Sequence, residues 1–206
     1  PPELIEDLMV PEIRSYFHSI NFDILVGLPK QTVATMRETM EKALTMQPDR
    51  LTFTYVSYNP ADRPYMIRMN RNQLIPDFYD RKAMFIEGVK HILDAGYIQT
   101  GLEHFAKPTD SVGQASEKGK AVYSSLGVTT EDCKSMLAVG SSAYSSFGED
   151  YYFQNYYENN LYTEALDNGE FPIYRGHKLS AEDKMRRHIV KKIRTCFFID
   201  VVDFEN

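Results

Sequence analysis

One acidic residue stands inside an apolar segment near the start of the chain. Asp23 belongs to the run Asn21-Phe-Asp-Ile-Leu-Val-Gly-Leu-Pro29, whose composition is typical of a strand buried on both faces in a parallel sheet. A buried carboxylate must accept hydrogen bonds, because leaving it unpartnered costs on the order of a few kcal/mol. Ligands of parallel sheets bind at the carboxyl ends of the strands, whereas Asp23 lies early in its strand. The sequence leaves two roles open, a ligand contact and a structural bond to neighbouring backbone.

Two further pairs of polar residues are candidates for chemistry. Glu103 and His104 end a strand-like segment, where an imidazole beside a carboxylate suits proton transfer or a polar ligand. Such a pair is more often structural. Arg186 and Arg187 lie in a late helical segment and can bind carboxylates through paired hydrogen bonds. Solvation of a helix surface is the more frequent role of such arginines.

The aromatic residues are concentrated in one segment, and the cysteines are far apart. Six tyrosines and two phenylalanines lie between Tyr144 and Tyr162. Packing in a core is their more frequent role, and a wall for a flat ligand is the alternative. Cys133 and Cys196 are 63 positions apart, which provides neither a disulfide framework nor a closely spaced set of metal ligands. We expect reduced cysteines and no metal bound by this chain.

A strand, a helix and a second strand are predicted to position Asp23. Thr32 can cap a helix whose apolar residues recur at three- and four-residue steps until Pro48 ends it. Residues 51–56 are rich in β-branched and aromatic residues and predict the second strand. Residues 21–56 therefore predict a βαβ unit with a right-handed crossover.

The same patterns continue to the end of the first half. A helix is predicted over residues 80–95, with Gly96 as its left-handed C-cap, and a third strand over residues 97–105. Residues 106–135 contain Pro108 and many Gly, Ser and Thr, which predicts a loop-like segment.

The last part of the chain predicts one more helix. Ser180 and Asp183 form a variant of the capping box, and the helix that they begin continues to about Ile193. Residues 196–202 are strand-like. Composition and periodicity together indicate a mixed α/β fold.

Charge and hydropathy exclude two classes of partner. The 23 basic and 29 acidic residues give a net charge of −6 and a pI near 5.4, with no basic run. This balance disfavours nucleic acid and anionic membranes. No apolar stretch reaches the roughly 18 residues that a membrane span needs, so we expect a cytoplasmic protein.

Eight short motifs follow one another along the chain. They are Asn21-Phe-Asp-Ile-Leu-Val-Gly-Leu-Pro-Lys-Gln-Thr32, Gln47-Pro-Asp-Arg-Leu51, Gly96-Tyr97, Gly101-Leu-Glu-His-Phe-Ala-Lys-Pro108, Gly140-Ser-Ser-Ala143, Gln154-Asn155, Arg175-Gly176 and Arg186-Arg187. In this order and near this spacing, they resemble the oxygen-independent coproporphyrinogen III oxidase family of radical S-adenosylmethionine enzymes. The resemblance covers nearly the whole chain. The first motif is widespread among radical enzymes, whereas the later ones are more specific to the porphyrin branch.

The resemblance implies a fold and a division of the chain. The fold would be α/β, the carboxyl-side part of an incomplete, parallel (β/α)6 radical-SAM barrel with following mixed α/β elements. Residues 1–105 would form the second half of the barrel in βαβ units. Residues 106–206 would form a family-specific loop, the aromatic segment and a helical extension.

The resemblance also implies cofactors and a partner. The family binds a [4Fe-4S] cluster through a Cys-x3-Cys-x2-Cys loop in the amino-terminal part of the barrel, and this sequence contains no such loop. A longer protein would therefore hold S-adenosyl-L-methionine and the cluster with the amino-terminal barrel half as partner. This chain alone is expected to bind neither and to be inactive.

Candidate site residues follow position by position from the resemblance. Asp23 matches a family residue at the S-adenosylmethionine pocket, and Leu25 lies two residues further along the same strand. Ser57 stands where the family has the Ala of Tyr-Ala-His, and Tyr144 where it has an Ile near the methionine moiety. These four are the candidate cofactor-binding residues.

The candidate substrate-binding residues are the two polar pairs. Leu102-Glu103-His104 stands where the family has Met-Asp-His, and Arg186-Arg187 matches a family pair. The catalytic groups stay unknown.

The implied function is oxidative decarboxylation of coproporphyrinogen III propionates to vinyl groups in haem biosynthesis, with a tetrapyrrole as substrate. Tyr123-Ser-Ser-Leu-Gly-Val-Thr-Thr130 stands where the family has Arg-Asn-Phe-Gln-Gly-Tyr-Thr-Thr, so groups suited to carboxylates are replaced. Two alternatives are therefore a sister radical enzyme that modifies or opens haem, and a non-catalytic haem-binding or haem-delivery protein. In the latter, the aromatic segment and His104 would hold the flat ligand.

Overall fold

The computed structural model describes residues 2–61, 64, 66–70, 74–124, 127–130 and 135–200. The chain divides into two compact units, Pro1–Gly119 and Lys120–Asn206. The expected division after residue 105 lies within the first unit, and the assignment of the two parts as barrel half and extension stays a prediction.

The first unit begins with two short helices. The expected strand, helix and strand follow them. Asn21 to Val26 and Arg50 to Tyr55 pair in parallel and in register. The elements are α1 (Pro2–Leu8), α2 (Pro11–Arg14), β1 (Asn21–Val26), α3 (Val33–Thr45) and β2 (Arg50–Tyr55).

The start of α3 confirms the predicted cap. The Thr32 hydroxyl accepts a hydrogen bond from the Thr35 backbone N–H at 3.2 Å, and the Thr35 hydroxyl accepts one from the Thr32 N–H at 2.9 Å. This reciprocal pair satisfies two helix-terminal donors and fixes the point at which the chain leaves β1 for the helix.

The expected single strand over residues 97–105 is wrong. After α4 (Met66–Met69) and α5 (Phe78–Asp94), two short strands follow instead, β3 (Ile98–Gln99) and β4 (His104–Ala106). The chain reverses between them because the backbone N–H groups of Thr100 and Gly101 both donate to the His104 carbonyl, at 2.9 and 3.2 Å. β4 is antiparallel to both β2 and β3, giving the order β1-β2-β4-β3 with β1 and β2 as its parallel pair.

The core of the first unit lies on one face of this sheet. It is formed by β1, β2 and β4 with α3 and α5, and Gly96 after α5 has the expected left-handed conformation, with φ of +86°. Alternate β1 residues lie on the opposite, exposed face, so β1 is not buried on both faces as its composition suggests. The largest fully buried side chains of this core are Val26, Met36, Met40, Leu51, Phe53, Met84, Ile92 and Phe105.

The segment expected to be loop-like contains regular structure. α6 (Ser111–Glu117) begins at Asp110 and completes the first unit, while β5 (Val122–Ser124) and β6 (Gly127–Thr129) form an antiparallel hairpin in the second. The side chain of Asp110 accepts the Val112 N–H at 2.7 Å, a local cap that composition alone does not reveal.

The second unit contains a three-stranded antiparallel sheet in the order β7-β8-β9, with two helices. The aromatic segment forms its first two strands and part of the helix that follows. These elements are β7 (Tyr144–Phe147), β8 (Tyr151–Asn155), α7 (Asn159–Asp167), β9 (Ile173–Lys178) and α8 (Ala181–Cys196).

The start of α8 is as predicted, and its end is not. Ser180 and Asp183 form the capping box. The helix continues to Cys196, where a strand was expected, and ends at Phe197 in a left-handed conformation with φ of +62°. The strand prediction is therefore wrong for residues 196–200, and its last two residues lie outside the described part of the chain. Cys196 is partly buried, and Cys133 lies outside the described residues.

Candidate functional site

The exposed face of the first sheet carries polar side chains in line across three strands. Asp23 on β1 pairs in register with Thr52 on β2, which pairs with His104 on β4. Residues paired in register lie on the same face, and neighbouring strands are about 4.8 Å apart, so Asp23 and His104 are separated by roughly 10 Å. We call Asn21, Asp23, Thr52 and His104 the polar row.

Asn21 connects the first members of the polar row. Its side-chain Nδ2 donates to Asp23 Oδ1 at 2.7 Å and lies 3.1 Å from the Thr52 hydroxyl. The Thr52 hydroxyl in turn lies 3.3 Å from Asn21 Oδ1. One oxygen of Asp23 thus has a structural partner on its own strand, while the carboxylate stays on the exposed face. Asn21 and Thr52 were not identified from sequence, because only strand register brings them to Asp23.

Leu25 and Ser57 lie at the carboxyl end of the same two strands. Leu25 shares the exposed face of β1 with Asp23 and is 41% exposed. Ser57 is exposed just after β2, where the Val56 N–H donates to the Val26 carbonyl at 2.8 Å. The structure therefore brings Asp23, Leu25 and Ser57 to one face and its carboxyl edge.

The loop after β1 is held by one side chain. Gln31 Nε2 donates to the Leu25 carbonyl at 3.0 Å, and Gln31 Oε1 accepts the Gly27 N–H at 2.7 Å. Gly27 has φ of +96°, and a Cβ there would approach Arg81 Cδ to 2.8 Å. A glycine and an amide at these two positions of the first motif fix the loop at the carboxyl end of β1.

Glu103 interacts with two residues of β2, through its backbone with Phe53 and through its charge with Tyr55. Its carbonyl accepts the Phe53 N–H at 2.7 Å. Burial raises the pKa of the Tyr55 phenol, Arg81 lowers it and the nearby Glu103 carboxylate raises it. Glu103 thus contributes negative charge close to the end of β2, one residue before His104 in the polar row.

Three of the motifs that carry the resemblance meet at the opposite, amino-terminal end of β2. The Tyr97 hydroxyl donates to the Pro48 carbonyl at 2.6 Å, and burial raises the pKa of that phenol to about 12, with a further increase from Asp49. Lys107 Nζ donates to the Gln47 carbonyl at 2.8 Å. Asp49 accepts the Ile20 N–H at 2.7 Å. These residues of the three motifs are explained by folding of the first unit.

Three more motifs interlock within the second unit. Gln154 Oε1 accepts from Arg175 Nε at 2.8 Å, and Asn155 Nδ2 donates to the Gly140 carbonyl at 2.9 Å. A Cβ at Gly176 would approach the Phe153 ring to 2.8 Å. The pairs Gln154-Asn155 and Arg175-Gly176 therefore hold the sheet and its preceding loop together.

The other candidate residues of the second unit have separate positions. Tyr144 begins β7 and is 48% exposed. Arg186 forms an exposed ion pair with Glu182 at 2.5 Å, while the Arg187 guanidinium lies over the Tyr152 ring, 5.4 Å from its centre. Their proposed roles in cofactor and substrate binding stay predictions.

An apolar cavity of about 390 Å³ opens on one side of the second-unit sheet. Phe147, Phe153 and Tyr162 from the aromatic segment line it, and the Tyr162 hydroxyl accepts the Gly140 N–H at 2.9 Å. The other lining residues are Leu137, Ala138, Val139, Ser145, Asn155, Leu166, Phe171, Pro172 and Ile173.

Neither a metal-ligand cluster nor a membrane-spanning helix occurs in the described part of the chain. No group of three or more His, Cys, Asp or Glu residues in the described ranges is arranged to hold a metal ion. No helix among the described elements is long and apolar enough to cross a bilayer.

The fold matches about half of a solved radical SAM enzyme. The structure of coproporphyrinogen III oxidase from Escherichia coli matches this chain with a TM-score of 0.87 and 28% identity, covering 100% of this chain and 47% of that one. No model of a protein family matches the sequence.

Curated relatives agree with this match. The oxygen-independent coproporphyrinogen III oxidase of Synechocystis is 32% identical over 193 residues, which are 94% of this chain and 41% of that protein. The enzyme of that name from Helicobacter pylori is 30% identical over 206 residues, 100% of this chain and 44% of the relative. The chain is therefore homologous to oxygen-independent coproporphyrinogen III oxidases along nearly all its length, which confirms the resemblance, and it spans less than half the length of these relatives.

Proposed function

We propose that this chain is the carboxyl-side part of a longer radical SAM enzyme, in which β1 and β2 belong to an incomplete (β/α)6 barrel. The reaction proposed is the oxidative decarboxylation of porphyrinogen propionates to vinyl groups in haem biosynthesis. The observation that carries the proposal is the homology itself, since 28–32% identity extends over at least 94% of the chain in the three relatives named above.

The exposed face of the first sheet is suited to line the inside of that barrel. In α/β proteins, ligands bind at the carboxyl ends of parallel strands. Leu25 and Ser57 lie at this end of β1 and β2, and Asp23 lies on the same face. An exposed strand face that carries Leu25 beside Asp23 is expected if another part of the protein covers it.

The residues on this face fit part of S-adenosylmethionine. Asp23 provides carboxylate acceptors for hydroxyl or amino groups of the ligand, and Leu25 provides an apolar surface beside them. Together with a reduced cluster in the longer protein, S-adenosylmethionine held by these residues would supply radical chemistry for hydrogen removal from the substrate. The part that this chain plays is to bind and orient the nucleoside side of the ligand and to exclude water.

The cluster does not fit this chain. A [4Fe-4S] cluster needs closely spaced thiolates, and Cys133 and Cys196 are 63 positions apart in the sequence. Cluster ligation is therefore assigned to the amino-terminal part of the longer protein.

For the tetrapyrrole, we propose Glu103 and His104 on the first unit and Arg186 and Arg187 on the second as binding residues. His104 belongs to the polar row, and the arginines can bind propionate carboxylates. A second candidate substrate is haem, because Tyr123-Ser-Ser-Leu replaces a stretch with arginine and amide side chains.

The first experiment uses the complete reading frame that encodes this chain. It should encode three closely spaced cysteines before the region described here, and anaerobic reconstitution should give a protein that cleaves S-adenosylmethionine reductively to 5′-deoxyadenosine. The present 206-residue chain, treated identically, serves as the control and should acquire no cluster. Absence of the cysteines, or absence of cleavage by a loaded cluster, would contradict an enzymatic role and favour a haem-binding protein.

The second experiment tests Asp23 in the longer protein. Asp23→Ala should weaken S-adenosylmethionine binding by about 1 to 3 kcal/mol, the range for a lost hydrogen bond to a charged group. Isothermal titration calorimetry of the reconstituted protein measures this change. Asp7→Ala, at an exposed position of α1, is the matched control and should leave the affinity unchanged. Equal affinities for both variants would assign Asp23 a structural role.

A further inference from the structure

We infer that Asn21 is a positioning residue, which orients the Asp23 carboxylate for S-adenosylmethionine. The inference rests on the proposed function. It concerns a residue that contacts Asp23 and not the ligand itself.

The geometry gives Asn21 two partners at once. Residues two apart in a strand share a face, so Asn21 and Asp23 lie side by side on β1. Asn21 Nδ2 is 2.7 Å from Asp23 Oδ1 and 3.1 Å from the Thr52 hydroxyl on β2. The carboxylate is therefore tied, through one amide, to both parallel strands.

The donors and acceptors of these groups fix which end of the Asn21 amide faces Asp23. An ionised carboxylate only accepts hydrogen bonds, so the amide must present its nitrogen to Asp23. The Thr52 hydroxyl can donate to Asn21 Oδ1, 3.3 Å away, which favours the same orientation of the amide. Among the described residues, Asp23 Oδ2 has no hydrogen-bond partner, so it is the oxygen left for a ligand.

The position of Asn21 supports a role beyond folding. Asparagine is depleted in strands because its short polar side chain competes for backbone hydrogen bonds. Here it is exposed, and among the described residues its amide hydrogen-bonds to Asp23 and Thr52, neither of which belongs to the core, so its contribution to stability is small. Fixing one rotamer of Asp23 before the ligand arrives reduces the ordering cost of binding.

The test is a double-mutant cycle on S-adenosylmethionine affinity in the longer, cluster-loaded protein. Asn21→Ala should raise the dissociation constant about fivefold to tenfold, within the range for an ordinary hydrogen bond. In the Asp23→Ala background the same change should raise it less than about twofold, because a residue that acts only through Asp23 has nothing left to orient. Asn21→Asp, which keeps the volume and removes the donor, should weaken binding at least as much as Asn21→Ala.

Two threonines provide a matched pair of controls on β2. Thr52→Val removes the hydroxyl that contacts Asn21 and should weaken binding in the same direction. Thr54→Val removes a hydroxyl two residues along the same face, for which the described structure has no side-chain hydrogen bond, and should change the dissociation constant less than Thr52→Val does.

The outcomes separate the inference from the proposed function. If Asp23→Ala weakens binding and Asn21→Ala does not, the inference is overturned and the proposed function stands. An equal effect of Asn21→Ala in both backgrounds also overturns the inference, because Asn21 would then act independently of Asp23. If Asp23→Ala itself leaves the affinity unchanged, the proposed role of Asp23 is overturned together with the inference.

Discussion

At the scale of single residues, Asp110 is the most deeply buried carboxylate in an ion pair of the described chain, with its side chain 3% exposed. It accepts from Arg50 Nε at 2.8 Å and from the Val112 N–H at 2.7 Å. One carboxylate thereby joins the start of β2 to the start of α6. The interaction positions elements of the first unit and is separate from the polar row.

Replacing the Asp110 carboxylate should lower the free energy of unfolding at neutral pH and reduce its dependence on pH in acid. Burial alone would raise the pKa of Asp110, but hydrogen bonds to Arg50 and Val112 outweigh it and lower the pKa below the usual 3.8. A lowered folded-state pKa stabilises the fold fully above the unfolded value, and this stability is lost as the pH falls through the lower folded-state value. Asp110→Asn should therefore cost about 1 to 3 kcal/mol at pH 7 and flatten the dependence of stability on pH below about 4.

Urea unfolding of the first unit, followed by circular dichroism across this pH range, measures both effects. Asp94→Asn is the control, because Asp94 pairs with Lys90 on an exposed helix surface and should change stability by less than about 0.5 kcal/mol. A parallel pH dependence for Asp110→Asn and the unchanged protein would contradict the assignment.

The sequence identified Asp23 because a carboxylate within an apolar segment is a local signal. Asn21 and Thr52 lack such a signal, since each is an ordinary polar residue until the β1–β2 register places it beside Asp23. The same limit applies to Asp110, whose partner Arg50 is 60 residues away. Residue chemistry was therefore predictable, and residue partners were not.

At the scale of elements, α5 packs closely on β2 at a glycine. A Cβ on Gly88 would lie 2.3 Å from Phe53 Cζ and 2.5 Å from Cε1. Phe53 is fully buried and stacks on Phe85 with ring centres 5.0 Å apart, so its ring has no free space into which to move. The helix approaches the sheet this closely because residue 88 has no side chain.

Gly88→Ala has two opposing effects on stability, a gain from helix propensity and a loss from overpacking. Alanine favours the helix by about 1 kcal/mol relative to glycine. Overpacking of a well-filled core costs about 1 to 3 kcal/mol and can exceed that, and a 2.3 Å approach is at the severe end. We expect net destabilisation of about 1 kcal/mol or more, measured as a lower midpoint of urea unfolding.

The sign of the change in unfolding free energy for Gly88→Ala shows whether packing or helix propensity has the larger effect. Glu41→Ala, on the exposed surface of α3, replaces an ordinary helical side chain and should change stability by less than about 0.5 kcal/mol. A gain in stability for Gly88→Ala would mean that the helix moves away from Phe53 at little cost.

Elements with local start and stop signals were predicted well. The Thr32 cap, the Ser180–Asp183 capping box and the Gly96 C-cap are present, and the β1–α3–β2 unit has the expected order. The segment 97–105 was predicted as one strand because its composition is strand-like throughout. Its division depends on a turn and on antiparallel pairing with β2, which are tertiary features.

At the scale of the whole molecule, the motifs that carry the resemblance have two different explanations. Hydrogen bonds that fold each unit account for Gln47-Pro-Asp-Arg-Leu51, Gly96-Tyr97, Gln154-Asn155 and Arg175-Gly176. Asn21 and Asp23, in contrast, contact each other on an exposed sheet face. In our proposal, Asn21 and Asp23 are covered by the rest of the longer protein and its bound S-adenosylmethionine.

In our proposal, the substrate of the longer protein depends on the segment that begins at Tyr123, where the residues differ from those of the family. Tyr123 occupies the start of that segment, and its hydroxyl accepts from Arg194 Nη1 at 2.9 Å while the guanidinium lies 4.5 Å from the ring centre. Arg194 is thus engaged within the second unit by an aromatic residue. Fewer cationic and amide donors in this segment should weaken recognition of a tetrapyrrole with four carboxylates.

We therefore expect the reconstituted longer protein to bind both coproporphyrinogen III and a dicarboxylate tetrapyrrole such as haem, with dissociation constants within about tenfold of each other. Anaerobic equilibrium titration with each ligand measures the ratio, and Arg186→Gln with Arg187→Gln tests whether these arginines contribute to it. If these arginines bind propionates, their loss should weaken coproporphyrinogen binding more than haem binding. Coproporphyrinogen has four carboxylates that can pair with them, and haem has two. A preference for coproporphyrinogen of more than about tenfold, or roughly 1.4 kcal/mol, would show that carboxylate recognition is intact despite Tyr123-Ser-Ser-Leu. Failure to bind either ligand would remove tetrapyrroles from the proposed function.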